Sequence, residues 1–447
     1  MPGVTQPKRP KQRWVVVSAM ALLVIAGGGL AWFQPWAPRD EPASVEPAAL
    51  TLPDRPSIVV LPFVNLYDDG EQDYFVDGFT NAITTHLSKF PQLFVISSTT
   101  AFTFKGKSVR VTDIGRDLGV KYVLEGSVQH GADTLSVHAQ LIEAETDSHV
   151  WAEQYDVPPE KVFSVQADVI SEIVVTLESA LWDEAKAAVV KRPAASLQGY
   201  DLYLKALAVG KPWSKEAWYE AIKLLKQAVG NEPDFLEAHY AISGFYLSLW
   251  RFGMADDAKE ALHLARLHAE KAMVIDQADY RGHYVLGRLF LFADHDHDLA
   301  LAEFQRALAD NPNQANLLYY MGFLRSLMGR GEEAIAWNEK AKRLNPRYPG
   351  WYNFNAALAY FWVQDYEKAI ILAKSGIAAY PKTLAPRRIL IAILVEMGRL
   401  DEAKQEVTEY LEIRPNFHLS TFRNTPFKHQ VDQDRYFGAL RKAGIPD

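Results

Sequence analysis

PNQANLLYYMGFLRSLMGRGEEAIAWNEKAKRLNP, residues 312–346, begins and ends on prolines 34 positions apart, and the same interval governs the chain around it. Pro312, Pro346, Pro381 and Pro415 follow one another at steps of 34, 35 and 34, and Ala300, Ala334, Ala369 and Ala403 each stand twelve positions before the matching proline. A fixed period of this length marks stacked supersecondary units, each too small to bury its apolar face alone. The alanines fall where a small side chain lets the two helices of a hairpin touch. Gly329 and Gly398 occupy the turns between paired helices, and Gln364 stands in that place in the intervening unit. Two looser units precede these, ending near Pro233 and Gln277 and carrying Ala221 and Ala228, then Ala265 and Ala272; the second is stretched to 44 positions. The reading is an all-α solenoid of six repeats over residues 200–417. It is closed by a capping segment, 418–447, whose helix over 432–443 (Tyr436, Phe437, Leu440, Ala443) stops at Gly444.

This periodicity resembles the tetratricopeptide repeat. The resemblance implies that the first helix of each hairpin lines a concave face at repeat positions 2, 5, 9, 12 and 13, the proline being position 32. In the fourth repeat these are Asn316, Tyr319, Phe323, Ser326 and Leu327, and in the fifth Trp351, Phe354, Leu358, Phe361 and Trp362. With a one-residue shift for its longer turn, the third repeat adds Arg281, Tyr284, Arg288, Leu291 and Phe292. A ring-rich groove edged by Arg281, Arg288 and Arg388 suits an extended or helical peptide, the rings supplying buried area and the guanidinium forks gripping carboxylates. The competing reading of the same rings is self-packing, between repeats or against the preceding domain.

That preceding domain, 57–182, has a different texture. IVVLPF, residues 58–63, is a short continuous apolar run of the kind found in a strand covered on both faces, and LFVI at 93–96 is a second. Residues 73–89 (Tyr74, Phe75, Phe79, Ile83, Leu87) and 112–119 read as helices, the latter closed by Gly119. The period then changes to two: Leu135, Val137, Ala139 and Leu141 alternate with Ser136, His138 and Gln140, so 122–129, 135–142 and 150–156 form a three-stranded meander. A helix from about Pro159 to Leu181 completes an α/β domain with a mixed sheet, and 183–199 is a linker.

Further upstream, residues 14–33, WVVVSAMALLVIAGGGLAWF, are 20 residues without a charge, enough at ~1.5 Å per residue to cross a bilayer as one transmembrane helix. Lys8, Arg9, Lys11 and Arg13 precede it, so residues 1–13 are expected to be a cytoplasmic basic tail and the bulk periplasmic, at a bacterial inner membrane. Gly29-Leu30-Ala31 has the shape of a processing site, but the apolar run exceeds the length usual for a cleaved signal, which favours an uncleaved anchor. Gly27 and Ala31 form a small-xxx-small pair through which two spans could pack into a homo-oligomer. Residues 34–56 carry six prolines and form an extended spacer.

Composition bounds the chemistry. The 447 residues hold 47 Lys+Arg against 55 Asp+Glu, and beyond the basic stretch over 1–13 there is no basic stripe, which argues against nucleic acid as a partner. With no cysteine there is no disulfide, thiol nucleophile or Cys-ligated metal. Gly106-Lys107-Ser108 lacks the upstream glycine of a phosphate loop, Ala101 standing there, and Asp294-His295-Asp296-His297-Asp298 reads as a solvated turn rather than a metal site. Asp68-Asp69-Gly70-Glu71 reads as a helix cap. No catalytic constellation, cofactor site or metal site emerges, and the chain is read as a non-enzyme.

The stretches PSIVVLPFVNL (56–66), YFVDGFT (74–80), LFVISSTTAFTFKGK (93–107), DIGRDLGVKYVLEGSVQ (113–129) and LIEAETDSHVWAEQYD (141–156) resemble the amino-terminal domain of TolB and FlgO-like domains. Together with the repeats and the tail PFKHQVDQDRYFGALRKAGIPD (426–447), the exported part resembles the non-catalytic half of bacterial class III adenylate cyclases and membrane-bound winged-helix regulators. Those relatives carry a cyclase or DNA-binding domain ahead of the span, where this chain has the short basic stretch Met1 to Arg13. The resemblance therefore implies an architecture and supplies no catalytic residues. The expected function is a membrane-anchored periplasmic scaffold or sensor binding a protein or peptide in its groove; the alternative is a regulatory component acting on an adenylate cyclase in trans.

Overall fold

The computed structural model describes residues 50, 52–66, 70, 72–131, 133–177, 196–419 and 425–447. The expected membrane span, the spacer up to residue 49, the linker over 183–195 and most of the Asp68–Glu71 cap lie outside the described residues. No helix among the described residues is long and apolar enough to cross a membrane.

Strands β1 (Ser57–Val60), β2 (Val64–Asn65), β3 (Phe94–Val95), β4 (Tyr122–His130), β5 (Leu135–Glu143) and β6 (Ser148–Val157) form one mixed sheet in the order β3-β1-β4-β5-β6. β1 lies parallel to both β3 and β4, and β2 continues beside β4. β4, β5 and β6 are antiparallel, as their two-residue alternation requires. Helices α1 (Asp73–Leu87), α2 (Ser98–Ala101), α3 (Val111–Leu118) and α4 (Val162–Leu177) complete the domain. The two faces of β1 enter different cores: Ile58 and Val60 pack with α1 and α4, whereas Val59 and Leu61 join a cluster that runs through α3 into the later repeats.

The solenoid follows as six hairpins: α5/α6 (Leu197–Val209, Lys215–Asn231), α7/α8 (Leu236–Arg251, Ala258–Ile275), α9/α10 (Tyr280–Leu289, His297–Asp310), α11/α12 (Ala315–Leu327, Gly331–Leu344), α13/α14 (Trp351–Trp362, Tyr366–Ala379) and α15/α16 (Ala385–Glu396, Leu400–Ile413). Ala221, Ala265, Ala300, Ala334, Ala369 and Ala403 are fully buried, which is the close approach their spacing calls for. The stretched second unit has longer helices, 16 and 18 residues against 13 and 14 in α11 and α12. The longer turn of the third is a π-helical turn over Phe290–Asp294, which absorbs its extra length. Five of the six hairpin turns hold a left-handed residue: Gly253, His295, Gly329, Gln364 and Gly398 all have φ between 55° and 75°. Side-chain caps start many of the helices, Ser214, Asp257, Asp279, Asp296 and Asp365 each accepting from an amide of the first turn.

Residues 49–447 form a single unit because the α/β domain docks on the turns between hairpins. Asn313 Nδ2 lies 3.1 Å from the carbonyls of Ser88, Phe90 and Leu93, and Ser97 N donates to Leu344 O at 2.7 Å. Thr100 Oγ1 donates to buried Asn345, Arg343 donates to the carbonyls of Leu118 and Gly119, and Arg347 pairs with Asp117. Helix α17 (Gln430–Ala443) packs on α15.

Candidate functional site

The first helices of successive hairpins bring a ladder of rings together. Ring centroids step from Tyr240 on α7 to Tyr284 on α9 (6.4 Å), to Tyr320 on α11 (5.5 Å), to Tyr319 (5.4 Å) and on to Trp351 on α13 (4.3 Å), with Phe323 to Phe354 beside it (6.1 Å). The twelve residues expected to line the groove meet different fates along this ladder. Tyr284, Phe292, Tyr319, Phe323 and Phe361 are buried in the core that joins the repeats, Phe361 completely. Asn316, Trp351, Phe354, Trp362 and Arg288 stay partly exposed. Five of the expected groove rings thus follow the self-packing reading, since an aromatic side chain buried between helices loses far more water-exposed area than one on a rim.

Two of the three expected guanidinium grips are also engaged. Arg281 is buried against Asp279 by two 2.7 Å hydrogen bonds and pairs with Glu237 at 3.1 Å. Burial presses its pKa down, and the two carboxylates outweigh that and carry it well above the ordinary arginine value. Arg388 is buried and donates to the Tyr410 hydroxyl, and Tyr436 of α17 acts on it as well. Neither is placed to receive a carboxylate from outside.

The carboxyl-terminal segment does more than close the solenoid. Lys428 N donates to Leu327 O, His297 Nε2 donates to Pro426 O, and Lys428 Nζ pairs with Asp298, so this segment reaches back to the third and fourth hairpins. Phe427 then meets Trp362 edge-on at 6.0 Å, and the Arg435 guanidinium lies over Phe361 and Trp362 while pairing with Glu396. One end of the expected groove is thus filled by the chain itself. The same contacts account for the Asp294–Asp298 run: Asp294 pairs with Arg266, Asp296 caps α10, and Asp298 holds Lys428. No group of three or more potential ligands among the described residues could hold a metal ion.

What remains open is a cationic patch at the amino-terminal half of the ladder. Arg251, in the last turn of α7, stacks its guanidinium 3.6 Å from the centre of the Phe292 ring. Arg288 lies over Tyr284 and Tyr320 at 5.7 and 5.5 Å, and its Nε is buried without a partner. Both guanidiniums act on the Tyr320 phenol. Burial pushes that phenol up, and the two positive charges outweigh it, leaving the pKa below the ordinary tyrosine value. Counting back from prolines missed Arg251, because α7 belongs to the stretched unit where that count slips, and missed Tyr320, whose neighbour Tyr319 holds the counted position. A cation ending an apolar helix was the only signal for Arg251.

A second cluster is internal. His239 and His268 face each other with Nδ1 atoms 2.7 Å apart, and His239 Nε2 donates to Pro233 O, so its Nδ1 accepts from His268. Burial, then the neighbouring His239, Lys271 and Lys226, presses His268 down to about 3; burial also lowers His239.

No protein-family profile matches the chain. It is similar to Putative adenylate cyclase 3 of Rhizobium meliloti, 35% identical over 260 residues, which is 56% of this chain and 43% of that protein. It is 25% identical over 175 residues to Transcriptional regulator HilA of Salmonella typhimurium, covering 39% of this chain and 30% of the regulator. The chain therefore spans less than half the length of either relative. Among solved structures it is similar to a tetratricopeptide repeat protein from Parabacteroides merdae, 15% identical with a TM-score of 0.36, covering 55% of this chain and 92% of that one. TolB from Acinetobacter baumannii is similar over 29% of this chain and 30% of its own, at 22% identity and a TM-score of 0.23. The hairpins themselves, with their period and alanine contacts, define the second half as a solenoid of paired helices of tetratricopeptide type.

Proposed function

We propose that this chain is a non-enzymatic interaction protein, anchored in a bacterial inner membrane by residues 14–33 with its bulk periplasmic, whose solenoid takes a peptide or protein segment on the face between Arg251 and Phe354. The observation that carries the reading is the half-exposed row Arg251, Arg288, Asn316, Trp351 and Phe354 on successive first helices, a cationic end followed by an apolar one. Peptide grooves combine these two elements, ring area for affinity and guanidinium forks for orientation. The test is co-purification from membranes with Trp351→Ala/Phe354→Ala, which should lose partners while keeping the melting profile. Unchanged partners would remove the groove from the reading. Topology reporters after Pro56 and Asp447, with an intact mass, test the anchor, and a cytoplasmic carboxyl terminus would overturn the orientation.

The second reading is a regulatory component acting on an adenylate cyclase in trans. It is favoured by the 35% identity to Putative adenylate cyclase 3. It predicts altered cyclic nucleotide levels in a deletion strain, and unchanged levels would dismiss it.

A further inference from the structure

We infer that the α/β domain is a strut that fixes the curvature of the solenoid: helix α1 grips the first hairpin at one end and the third and fourth at the other, so that non-adjacent hairpins keep a set separation. The inference does not depend on what the solenoid binds.

Three observations carry it. First, α1 is a braced rod. Its 15 residues make it ~22 Å long, and Phe75, Phe79, Ile83 and Leu87 are buried in the core it shares with Ile58 and Val60, so the sheet backs it along its length. Second, its two ends hold different hairpins. At the amino-terminal end Tyr74 donates its hydroxyl to Asp201 of α5, Asp77 pairs with Lys211 at 3.3 Å, and Gly78 admits Leu204 so closely that a Cβ there would stand 2.4 Å from its Cδ2. Just past the carboxyl-terminal end, Lys89 pairs with Asp310 at 3.1 Å and Asp279 at 3.6 Å, the residues that bound the third hairpin. Asn313, where the third hairpin gives way to the fourth, donates to the carbonyls of Ser88, Phe90 and Leu93. Third, the far end is locked from two more sides. Arg55 donates to Asn313 Oδ1 at 3.0 Å, while Arg343 reaches the carbonyls of Leu118 and Gly119 and Arg347 pairs with Asp117.

In a solenoid whose repeats touch only their neighbours, curvature is the sum of small rotations at each junction, and it varies as they vary. A rigid tie from the first hairpin to the fourth removes that freedom. The strut therefore presents a partner with a surface whose shape is already set, which lowers the ordering cost of binding.

The chain has no cysteine, so pairs of introduced cysteines are the only sites for nitroxide labels. Gln227→Cys with Ala336→Cys reports the separation of the first and fourth hairpins, and Ala336→Cys with Ser375→Cys that of the fourth and fifth; all three positions are exposed on second helices. Distances are read on the full chain in detergent, without a partner, by pulsed electron paramagnetic resonance. One variant wedges the amino-terminal end: Gly78→Leu keeps α1 helical and drives α5 off it. The other, Lys89→Ala/Asn313→Ala, releases the far end. In wild type the first-to-fourth distribution should be a single narrow peak. In each variant it should shift and broaden, while the fourth-to-fifth distribution stays where it was. Circular dichroism and melting confirm that each variant folds, and should one fail the other decides. A first-to-fourth distribution unchanged in a folded variant would overturn the strut, because the hairpins would then hold their own pitch. Equal broadening of both pairs would overturn it as well, since that marks general loosening of the solenoid. A broad wild-type distribution would refute fixed curvature outright, whichever variants fold.

Discussion

Acid should weaken the second hairpin through the His239–His268 pair, and substitution of His268 should remove much of that sensitivity. In the unfolded chain an imidazole takes its proton near pH 6.5. In the fold His268 is buried and does so only near 3. Between these values the unfolded chain binds a proton that the folded one refuses, so stability is complete above about pH 6.5 and falls with pH through the window down to about 3. Within that window the slope is about 1.4 kcal/mol per pH unit, and from pH 7 to pH 5 it amounts to about 2 kcal/mol for His268 alone. His239, also lowered, acts with the same sign. The hydrogen bond reinforces the effect, since a proton on His239 Nδ1 would place two hydrogens between nitrogens 2.7 Å apart. The assay is urea unfolding at pH 7 and pH 5 for wild type and His268→Gln, with the His268 ring proton followed by NMR. The variant should lose about 2 kcal/mol less on acidification than wild type. Equal losses in both proteins, or a His268 resonance that titrates above pH 5 in the folded state, would refute the reasoning.

Asn313→Ala strips the amide that serves the carbonyls of Ser88, Phe90 and Leu93; Ser88 O and Phe90 O keep backbone donors, Asn313 N and Leu93 N, while Leu93 O loses the side-chain donor. It should cost about 1–3 kcal/mol and raise hydrogen exchange across residues 88–97, which mass spectrometry reads directly. Gln364 holds φ 61° where its counterparts are mostly glycine, so Gln364→Gly should stabilise by up to about 1 kcal/mol in urea melts. Gly329→Ala should do the opposite, because the new methyl would stand 2.6 Å from an Asp432 carboxylate oxygen in addition to the left-handed backbone. Phe361→Ala should cost about 3–5 kcal/mol and melt its hairpin, whereas half-buried Trp351→Ala should leave the melting profile nearly intact. That difference makes Trp351 and Phe354, rather than Phe361, the residues for testing a partner.

Local chemistry was readable from residues alone. The Pro312 to Pro415 beat and its alanines gave away the hairpins because each unit repeats the same helix–helix contact, and contacts of that kind lie within a single period of the chain. The same holds for the meander, whose alternation mirrors the pleat, and for the αL turn at Gln364, marked by its glycine counterparts. The candidate site was only partly legible. Tyr284, Tyr319, Phe323 and Phe361 occupy their expected positions, yet the neighbouring repeat takes them into its core. Asp279 stands two residues before Arg281, but nothing in the period announces that Glu237 joins it while Arg288 keeps an unmet donor, because Glu237 comes from α7. The apolar run at Ile58–Leu61 demanded cover on both faces. That one cover reaches into the solenoid, through Asn313, Arg343 and Asn345, was decided only when segments far apart in the chain were brought together. Burial preferences and turn chemistry act over a few residues and are written in order along the chain. Which charge meets which, and which ring is left facing water, depends on the sum of all packing and exists only in the folded molecule.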